Sequence, residues 1–324
     1  MAKKLLRIGT RESQLAVWQA NNVKDLLAEN GYDSELVFIK SEGDIDLITP
    51  LYELGVQGIF TRSLDIALLN NRIDIAVHSL KDVPTQLPKG ILQSAVLKRA
   101  SYKDLLVLNV SNELAVVSSE YLSTHNSQLT KLPTHHSPLT IATSSIRRKA
   151  QWLNRYPNDV LENLRGNVNT RLQKVKDSNW HGAIFAAAGL ERIGLRPEHS
   201  IELDWMLPAP AQGAIGVVCR QGDNESYEAS QHFNDAETEH CTTIEKAFLR
   251  TLLGGCSTPI SALAEIINGE VHFKGNIFSV DGKQRVDIEK KVPIGDSQDL
   301  GIIAAKELLN NGGKAIADAI QNDR

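Results

Sequence analysis

The sequence predicts an α/β protein with three domains, two of them α/β and the last a small α+β domain. Three observations support this fold class. Strand-like and helix-like segments alternate from the start of the chain, the alternation begins again at Leu139, and a long helix followed by strand-like segments begins at Glu237. A chain of 324 residues, 42% of them hydrophobic, can bury more than one core and ordinarily divides into two or three domains.

The first unit opens with a β-α-β pattern. Its predicted elements are strand Leu5–Ile8, helix Ser13–Glu29, strand Glu35–Ile39, helix Phe60–Asn70 and strand Arg72–His78. Ser13 is the predicted N-cap of the first helix, because a serine hydroxyl can accept a hydrogen bond from an unpaired N–H of the first turn. The loop Ser79–Pro84 follows a strand, where open α/β sheets place their ligands, and is a candidate site.

The second α/β unit has a similar alternation. Its predicted elements are strand Leu139–Ala142, helix Ser145–Tyr156, strand Val160–Leu164, helix Val168–Asp177 and strand Ala183–Ala186. The preceding segment is rich in Ser, Thr, Asn and His, and we interpret about residues 111–137 as a surface insertion. The proline-containing segment Leu207–Arg220 leads into an apolar strand and is predicted to return the chain to the first domain.

The last part of the chain predicts a small α+β domain. Its elements are helix Glu237–Leu253, strands Ala262–Ile267, Val271–Phe278 and Val286–Val292, and a final helix near Leu300–Asn310. The predicted boundaries are residues 1–104 with 205–222 for the first domain, 105–204 for the second and 223–324 for the third.

Composition narrows the classes of partner. The formal charge of −4 and the isoelectric point near 6.2 provide no overall basic field, so neither a nucleic acid nor an anionic membrane is an expected partner. Three cysteines without a CxxC spacing argue against a disulfide framework, and no metal site is predicted. The short apolar stretch at the N-terminus does not resemble a signal-peptide core, which favours a cytoplasmic location.

Arginines at predicted loops and helix starts are the first candidate binding residues. They are Arg11, Arg147, Arg148, Arg165, Arg171 and Arg192. A guanidinium group binds a carboxylate through two parallel hydrogen bonds, and the helix start at Ser145 adds N–H groups that favour an anion. The alternative is that these arginines are solvated or pair with some of the 39 acidic residues of the chain.

Asp82 and Cys256 are the candidate reactive groups. Asp82 follows Lys81 just beyond an apolar strand, where it could act as an acid or base or stabilise a developing cation. It could instead be an ordinary turn residue. Cys256 follows Gly254 and Gly255, which permit close backbone approach, although a free cysteine is more often a small buried hydrophobic residue.

Several motifs together resemble the porphobilinogen deaminase (hydroxymethylbilane synthase) family. In chain order they are Gly9-Thr10-Arg11-Glu12-Ser13, Asp74 to Pro84, Ser144-Ser145-Ile146-Arg147-Arg148, Leu164 to Arg171, Ala188-Gly189-Leu190-Glu191-Arg192, Gln212-Gly213-Ala214 and Gly254-Gly255-Cys256. The resemblance covers nearly the whole chain. It implies two domains similar to those of periplasmic binding proteins on either side of a cleft, and a third domain with the cofactor cysteine.

The resemblance also implies the reaction and the cofactor. Four molecules of porphobilinogen are joined head to tail with loss of ammonia, and water then releases the linear tetrapyrrole hydroxymethylbilane. A dipyrromethane cofactor is held by a thioether to the cysteine that here corresponds to Cys256. The resemblance favours a monomer.

Individual roles follow from the same motifs. The resemblance implies that Asp82, assisted by Lys81, is catalytic and stabilises the cation formed when ammonia leaves. The residues implied to contact the cofactor are Cys256, Asp82, Lys81, Ser145, Arg147, Arg148, Arg171 and Gly189. Those implied to contact the substrate are Arg11, Ser13, Gln19, Arg165, Arg171 and Arg192.

Two departures from the family pattern leave alternatives open. Glu53 and Gln57 stand where family members often have lysines, and the segment 111–137 is long. The alternatives are a carboxylate-binding module without catalysis and a disabled homologue of the enzyme. A binding module would need neither Cys256 nor an acid such as Asp82 among bound carboxylates.

Overall fold

Three β-sheets organise the chain in the computed structural model, which describes residues 4–40, 61–110, 138–252 and 258–322. The strands are β1 (Leu6–Thr10), β2 (Ser34–Phe38), β3 (Ile75–Ser79), β4 (Ile91–Val96), β5 (Asp104–Leu108), β6 (Thr140–Ala142), β7 (Val160–Glu162), β8 (Gly182–Ala186), β9 (Ser200–Glu202), β10 (Ile215–Arg220), β11 (Ile260–Ile267), β12 (Glu270–Phe278) and β13 (Arg285–Pro293). The helices are α1 (Gln14–Glu29), α2 (Arg62–Leu69), α3 (Ile146–Arg155), α4 (Val168–Asp177), α5 (Ala187–Glu191), α6 (Asn224–Gln231), α7 (Ala236–Thr251), α8 (Leu300–Leu308) and α9 (Lys314–Asn322).

The first sheet has the strand order β2-β1-β3-β10-β4. Strands β1, β2 and β3 are parallel, whereas β10 runs antiparallel between β3 and β4. The strands are apolar because the sheet is buried on both faces: Ile8 and Val77 contact a core that includes Val23 of α1, and Ala76 faces the core that includes Leu64 of α2. The strand predicted after the proline-containing segment is β10. It lies in the first sheet between β3 and β4, although both of those strands are distant from it in the sequence.

The second sheet repeats this arrangement with the order β7-β6-β8-β5-β9. Strands β6, β7 and β8 are parallel, and β5 runs antiparallel to β8 and β9. Trp152 of α3 is fully buried on one face of the sheet, and Val175 of α4 is buried on the other. Both large sheets are thus mixed α/β sheets, as the sequence predicts.

The third sheet is an antiparallel β11-β12-β13 meander. Helices α7, α8 and α9 supply its core, in which Phe248 of α7 packs edge-on against Phe273 of β12 with ring centroids 5.1 Å apart. Gly301 of α8 permits close helix packing, because a Cβ atom there would lie 2.1 Å from the carbonyl oxygen of Ile244. This is the α+β unit predicted from the sequence.

The observed helices and strands agree with the predicted ones in some places and differ in others. The N-cap role of Ser13 is confirmed, since its hydroxyl accepts a hydrogen bond from the N–H of Ala16 at 3.4 Å, and helix Val168–Asp177 has the predicted bounds. The helix near Leu300–Asn310 is not the final one, because the chain kinks at Gly312, where φ is +104°, and continues as α9. Elements β4, β5, β9, α5 and α6 were not assigned from the sequence.

Two segments, residues 97–103 and 204–214, cross between the large sheets. Helix α6, which follows the second crossing and β10, packs on the first sheet, and its Ala229 lies in that sheet's core. The predicted boundary at residue 223 would assign this helix to the third domain, and the domain boundaries stay a prediction. Among the helices of the described ranges, none is long and apolar enough to span a bilayer.

Candidate functional site

The candidate site residues lie where strands of both large sheets end. Arg11 follows β1, and Lys81 and Asp82 form a short 3-10 turn directly after β3. Ser145 begins α3 just after β6, and Gly189 lies in α5 just after β8. Charged residues from the two sheets are close enough to change each other's pKa values. The ends of the two sheets therefore form one cation-rich site.

The turn with Lys81 and Asp82 is held rigidly. Leu80 is fully buried, its N–H donates to the carbonyl of Ala214 at 3.0 Å, and the N–H of Val83 donates back to Leu80 at 3.2 Å. Burial and the cations Arg148 and Arg147 lower the pKa of Lys81 to about 8, although Asp82 and Asp104 oppose the shift. Lys81 can therefore gain or lose a proton near neutral pH.

The start of α3 has a side-chain cap and two buried arginines. The hydroxyl of Ser145 accepts from the N–H of Arg148 at 3.4 Å, which makes Ser145 the N-cap. Arg147 and Arg148 are only 4% and 6% exposed. Both guanidinium groups bind Asp104, at the start of β5, with a shortest distance of 2.7 Å in each case. The pKa of Asp104 lies well below its ordinary range, because the two cations outweigh the effect of burial.

Arg171 is a half-buried cation close to two buried arginines. Burial, together with Arg148 and Arg165, lowers its pKa to about 10, while Asp82 acts in the opposite direction. Its Nε atom is buried and has no hydrogen-bond partner. The preceding turn is built locally: Asn167 caps α4 by accepting from the N–H of Thr170 at 2.9 Å. An anion that reached Arg171 would relieve both the missing hydrogen bond and the repulsion between cations.

Helix α1 brings the first sheet against the second. Leu15 lies 3.7 Å from the position of a Cβ atom on Gly189, so a side chain at Gly189 would only just reach it. Asn169 of α4 donates to Gln14 at 2.9 Å. Arg192 lies over the ring of Trp18, 5.9 Å from its centroid. These contacts bring α4, α5 and α1 together beside the site.

Two predicted substrate residues contact the protein itself in this structure. Gln19 is buried and donates to the hydroxyl of Ser79 at 2.9 Å, which fixes the end of β3. Arg192 donates to the carbonyl of Gly213 at 2.7 Å, and burial lowers its pKa to about 10. Both residues therefore stabilise segments at the edge of the site.

Cys256 lies outside the described residues, as do Glu53, Gln57 and the segment 111–137. The structure describes the chain on either side of the cysteine, up to Leu252 after α7 and again from Thr258. The cysteines that it does describe, Cys219 and Cys241, are buried, and burial raises the pKa of each thiol to about 11. Neither has the low pKa and exposure of a reactive thiol.

The sequence reasoning missed two buried carboxylates that organise this region. Asp104 holds the arginine pair, and Glu245 of α7 binds Arg99 on the first crossing segment at 2.6 Å. Both carboxylates have no exposed surface. The available signal was weak: Asp104 directly precedes the apolar run 105–108, and a buried charge is costly unless a cation pairs with it.

The fold and the site define a two-sheet α/β protein with a buried cluster of cations beside an aspartate and a lysine, extended by a small α+β unit. Two family models match the chain. The model for "Porphobilinogen deaminase, dipyromethane cofactor binding domain" matches residues 6–228, and that for "Porphobilinogen deaminase, C-terminal domain" matches residues 239–310. The chain therefore belongs to the porphobilinogen deaminase family, which acts in tetrapyrrole biosynthesis.

Solved structures that are similar to this chain include the following three. The VFT2 domain of Bordetella pertussis BvgS is 12% identical, with 70% of this chain and 85% of that chain covered and a TM-score of 0.40. A putative L-cystine ABC transporter from Listeria monocytogenes is 12% identical, with 70% and 89% covered and a TM-score of 0.34. The substrate-binding protein AbpA from Streptococcus pneumoniae, bound to L-arginine, is 13% identical, with 70% and 85% covered and a TM-score of 0.36.

Proposed function

We propose that this chain joins four porphobilinogen molecules head to tail and releases hydroxymethylbilane, with the chemistry centred on Asp82. In each condensation the aminomethyl carbon loses ammonia and bonds to a pyrrole carbon, which gives up its proton. The observation that carries the proposal is the proximity of Asp82, after β3 of the first sheet, to the half-buried Arg171 of the second. A carboxylate beside several cations can act on a substrate that is both anionic and, during reaction, cationic.

Charge explains why this substrate needs the arginines. Each porphobilinogen has an acetate and a propionate, so a growing chain accumulates carboxylates that burial without cations would penalise severely. Arg171, whose Nε lacks a partner, supplies one binding group. The further groups proposed to bind carboxylates of the cofactor or the substrate are Arg11, Ser13, Ser145, Arg147, Arg148 and Arg165.

Asp82 and Lys81 are proposed to handle the positive charge and the protons. The carboxylate of Asp82 stabilises the cation that forms when ammonia leaves, because opposite charges attract strongly in a site shielded from water. Lys81, with a pKa of about 8, is partly neutral near that pH and can accept the proton released by the pyrrole carbon. The two residues are adjacent in one short turn, and the backbone hydrogen bonds of that turn hold them in place.

Cys256 is proposed to anchor the dipyrromethane cofactor, which the first family domain is described as binding. When bound, the cofactor supplies the pyrrole end to which the first substrate is joined. The buried thiols of Cys219 and Cys241 are unsuited to this attachment. The buried cations around Arg171 fit a group with several carboxylates. We also propose that the protein is a cytoplasmic monomer.

Intact-mass measurement of the purified protein tests this proposal. The wild-type protein should exceed its sequence mass by one dipyrromethane unit, and added porphobilinogen should produce a ladder of heavier species. Cys256→Ser should lose the excess, whereas the control Cys241→Ser should keep it. Asp82→Asn should retain the excess and lose at least about 100-fold in turnover. An unmodified wild-type protein that forms no ladder with substrate would contradict the proposed activity.

A further inference from the structure

Asp104 is a buried carboxylate with hydrogen bonds to three side chains. It is the first residue of β5, immediately after the first crossing segment, and its side chain has no exposed surface. One oxygen accepts from Arg147 Nη2 at 2.7 Å. The other accepts from Arg148 Nη2 at 2.7 Å, from Arg148 Nε at 3.1 Å and from Gln212 Nε2 at 2.9 Å. Asp104 therefore joins the start of α3 to both crossing segments.

The remaining contacts of the two arginines fix their orientation. Arg147 donates from Nη1 to the carbonyl of Leu207 at 2.7 Å, and Arg148 donates from Nη1 to the carbonyl of Ile184 at 2.9 Å. A guanidinium group has five N–H donors. Within the described residues Arg147 uses two of them and Arg148 three, so both retain N–H groups. The Nε atom of Arg147 is buried without a partner.

Electrostatics makes Asp104 necessary for this arrangement. Arg147 and Arg148 lie side by side at the start of one helix, and burial together with the charge of Arg148 lowers the pKa of Arg147. One carboxylate between them offsets the repulsion and keeps both groups in one geometry. The pair is also close enough to affect the pKa of Lys81. A change in the position of the Asp104 carboxylate would therefore move Arg147 and Arg148, which lie beside the turn with Lys81 and Asp82.

We propose that Asp104 is a positioning residue of the condensation reaction: it holds Arg147 and Arg148 so that their remaining N–H groups meet carboxylates of the cofactor and of the growing chain. The proposal rests on the function proposed above. Asp104 itself touches neither substrate nor cofactor. Its effect passes through the arginines, so its loss should weaken binding more than it slows the chemical step.

The chain offers a matched control in Asp74, just before β3. Asp74 is also fully buried, and it accepts from Arg7 at 2.9 Å and from Arg220 at 3.0 Å. Like Asp104 it pairs with two arginines, and it pairs in addition with Lys4. Its pKa is also well below its ordinary range. It lies at the opposite end of β3 from Lys81 and Asp82. Loss of its charge should destabilise the fold without moving the site.

The experiment compares Asp104→Asn with Asp74→Asn. Both variants should lower the thermal midpoint. Only Asp104→Asn should raise the KM for porphobilinogen, by about tenfold, with kcat within about threefold of wild type. It should also lower the fraction of purified protein that retains the dipyrromethane mass. If both variants have the same KM and retained fraction, Asp104 is purely structural and the proposal is overturned.

Asp104→Glu decides the matter if Asp104→Asn does not fold. It keeps the charge but moves the carboxylate by one methylene, so the proposal expects a folded protein with a raised KM. A wild-type KM and retained fraction in Asp104→Glu would overturn the proposal. Failure of the proposed function would be seen separately, because the wild-type protein would then form no ladder with porphobilinogen.

Discussion

Glu245→Gln tests how the third sheet is fastened to the two crossing segments. One oxygen of the buried carboxylate accepts from Arg99 at 2.8 Å and from the N–H of Ala264 at 2.7 Å. The other accepts from Arg99 at 2.6 Å and from the N–H of Ala211 at 2.6 Å. Arg99 lies on the first crossing segment, Ala211 on the second and Ala264 in β11. A single carboxylate thus connects three parts of the chain.

The expected cost follows from these contacts. Glutamine keeps the size of the side chain, but it removes the counter-charge that is paired with Arg99 and points an NH₂ group at N–H donors. Removing one partner of a buried ion pair costs about 3–5 kcal/mol. The Arg99 side chain is 12% exposed, so water can relieve only part of this penalty. We expect the free energy of unfolding to fall by about 4 kcal/mol.

Urea denaturation followed by far-UV circular dichroism measures this loss. The control is Asp318→Asn in α9, which breaks an exposed pair with Lys314 and should cost less than about 0.5 kcal/mol. Because α7 leads towards Cys256, Glu245→Gln should also lower the fraction of protein that retains the cofactor mass. A loss of less than about 1 kcal/mol would refute this account of Glu245.

Two further predictions concern other parts of the fold. Burial raises the pKa of Asp65 from its ordinary value of 3.8 to about 6 in the folded protein. The folded state therefore binds this proton more tightly than the unfolded state, and Asp65 lowers the free energy of unfolding as the pH rises from 3.8 to 6. Asp65→Asn should therefore stabilise the protein by about 2 kcal/mol at about pH 7.5 and have little effect near pH 4, and an equal effect at both pH values in thermal melts would contradict this. Gly282→Ala would place a Cβ atom 2.5 Å from the carbonyl oxygen of Ala150 in α3, whereas Gly269→Ala shares the positive φ but meets nothing within 4 Å. Thermal melts should show a loss about 2 kcal/mol larger for Gly282→Ala, and equal losses would show that this contact does not matter.

The sequence predicted the elements whose periodicity is strong and local. The helix Val168–Asp177 and the cap at Ser13 depend on residues within one or two turns, so both could be assigned correctly. Strand β4 could not, because its stretch Ile91–Val96 becomes a strand by pairing with β10, which is distant in sequence. Such pairing depends on the tertiary fold and leaves little trace in a short apolar segment.

The site was predicted less completely than the fold. The motifs correctly placed Lys81 and Asp82 in a turn after a strand, and Ser145 at a helix start. They could not show that Arg147 and Arg148 both bind Asp104, because that contact depends on how β5 lies beside the start of α3. A family motif records which residues recur, whereas the ion pairs that hold them depend on the packing of separate segments.

The unequal compensation of the cations suggests how the site is suited to its ligand. Arg148 has a carboxylate partner in the folded chain. Arg171 is half-buried near other cations, and Asp82 acts against the repulsion. Folding therefore places Arg171 at a cost that an anionic ligand can offset. Under the proposed function the same ligand becomes cationic during reaction, and the carboxylate of Asp82 is proposed to stabilise that cation. Asp104 pairs with the two arginines. In the proposed function this leaves Asp82 for the reacting centre, so the site can bind carboxylates and still present a negative charge there.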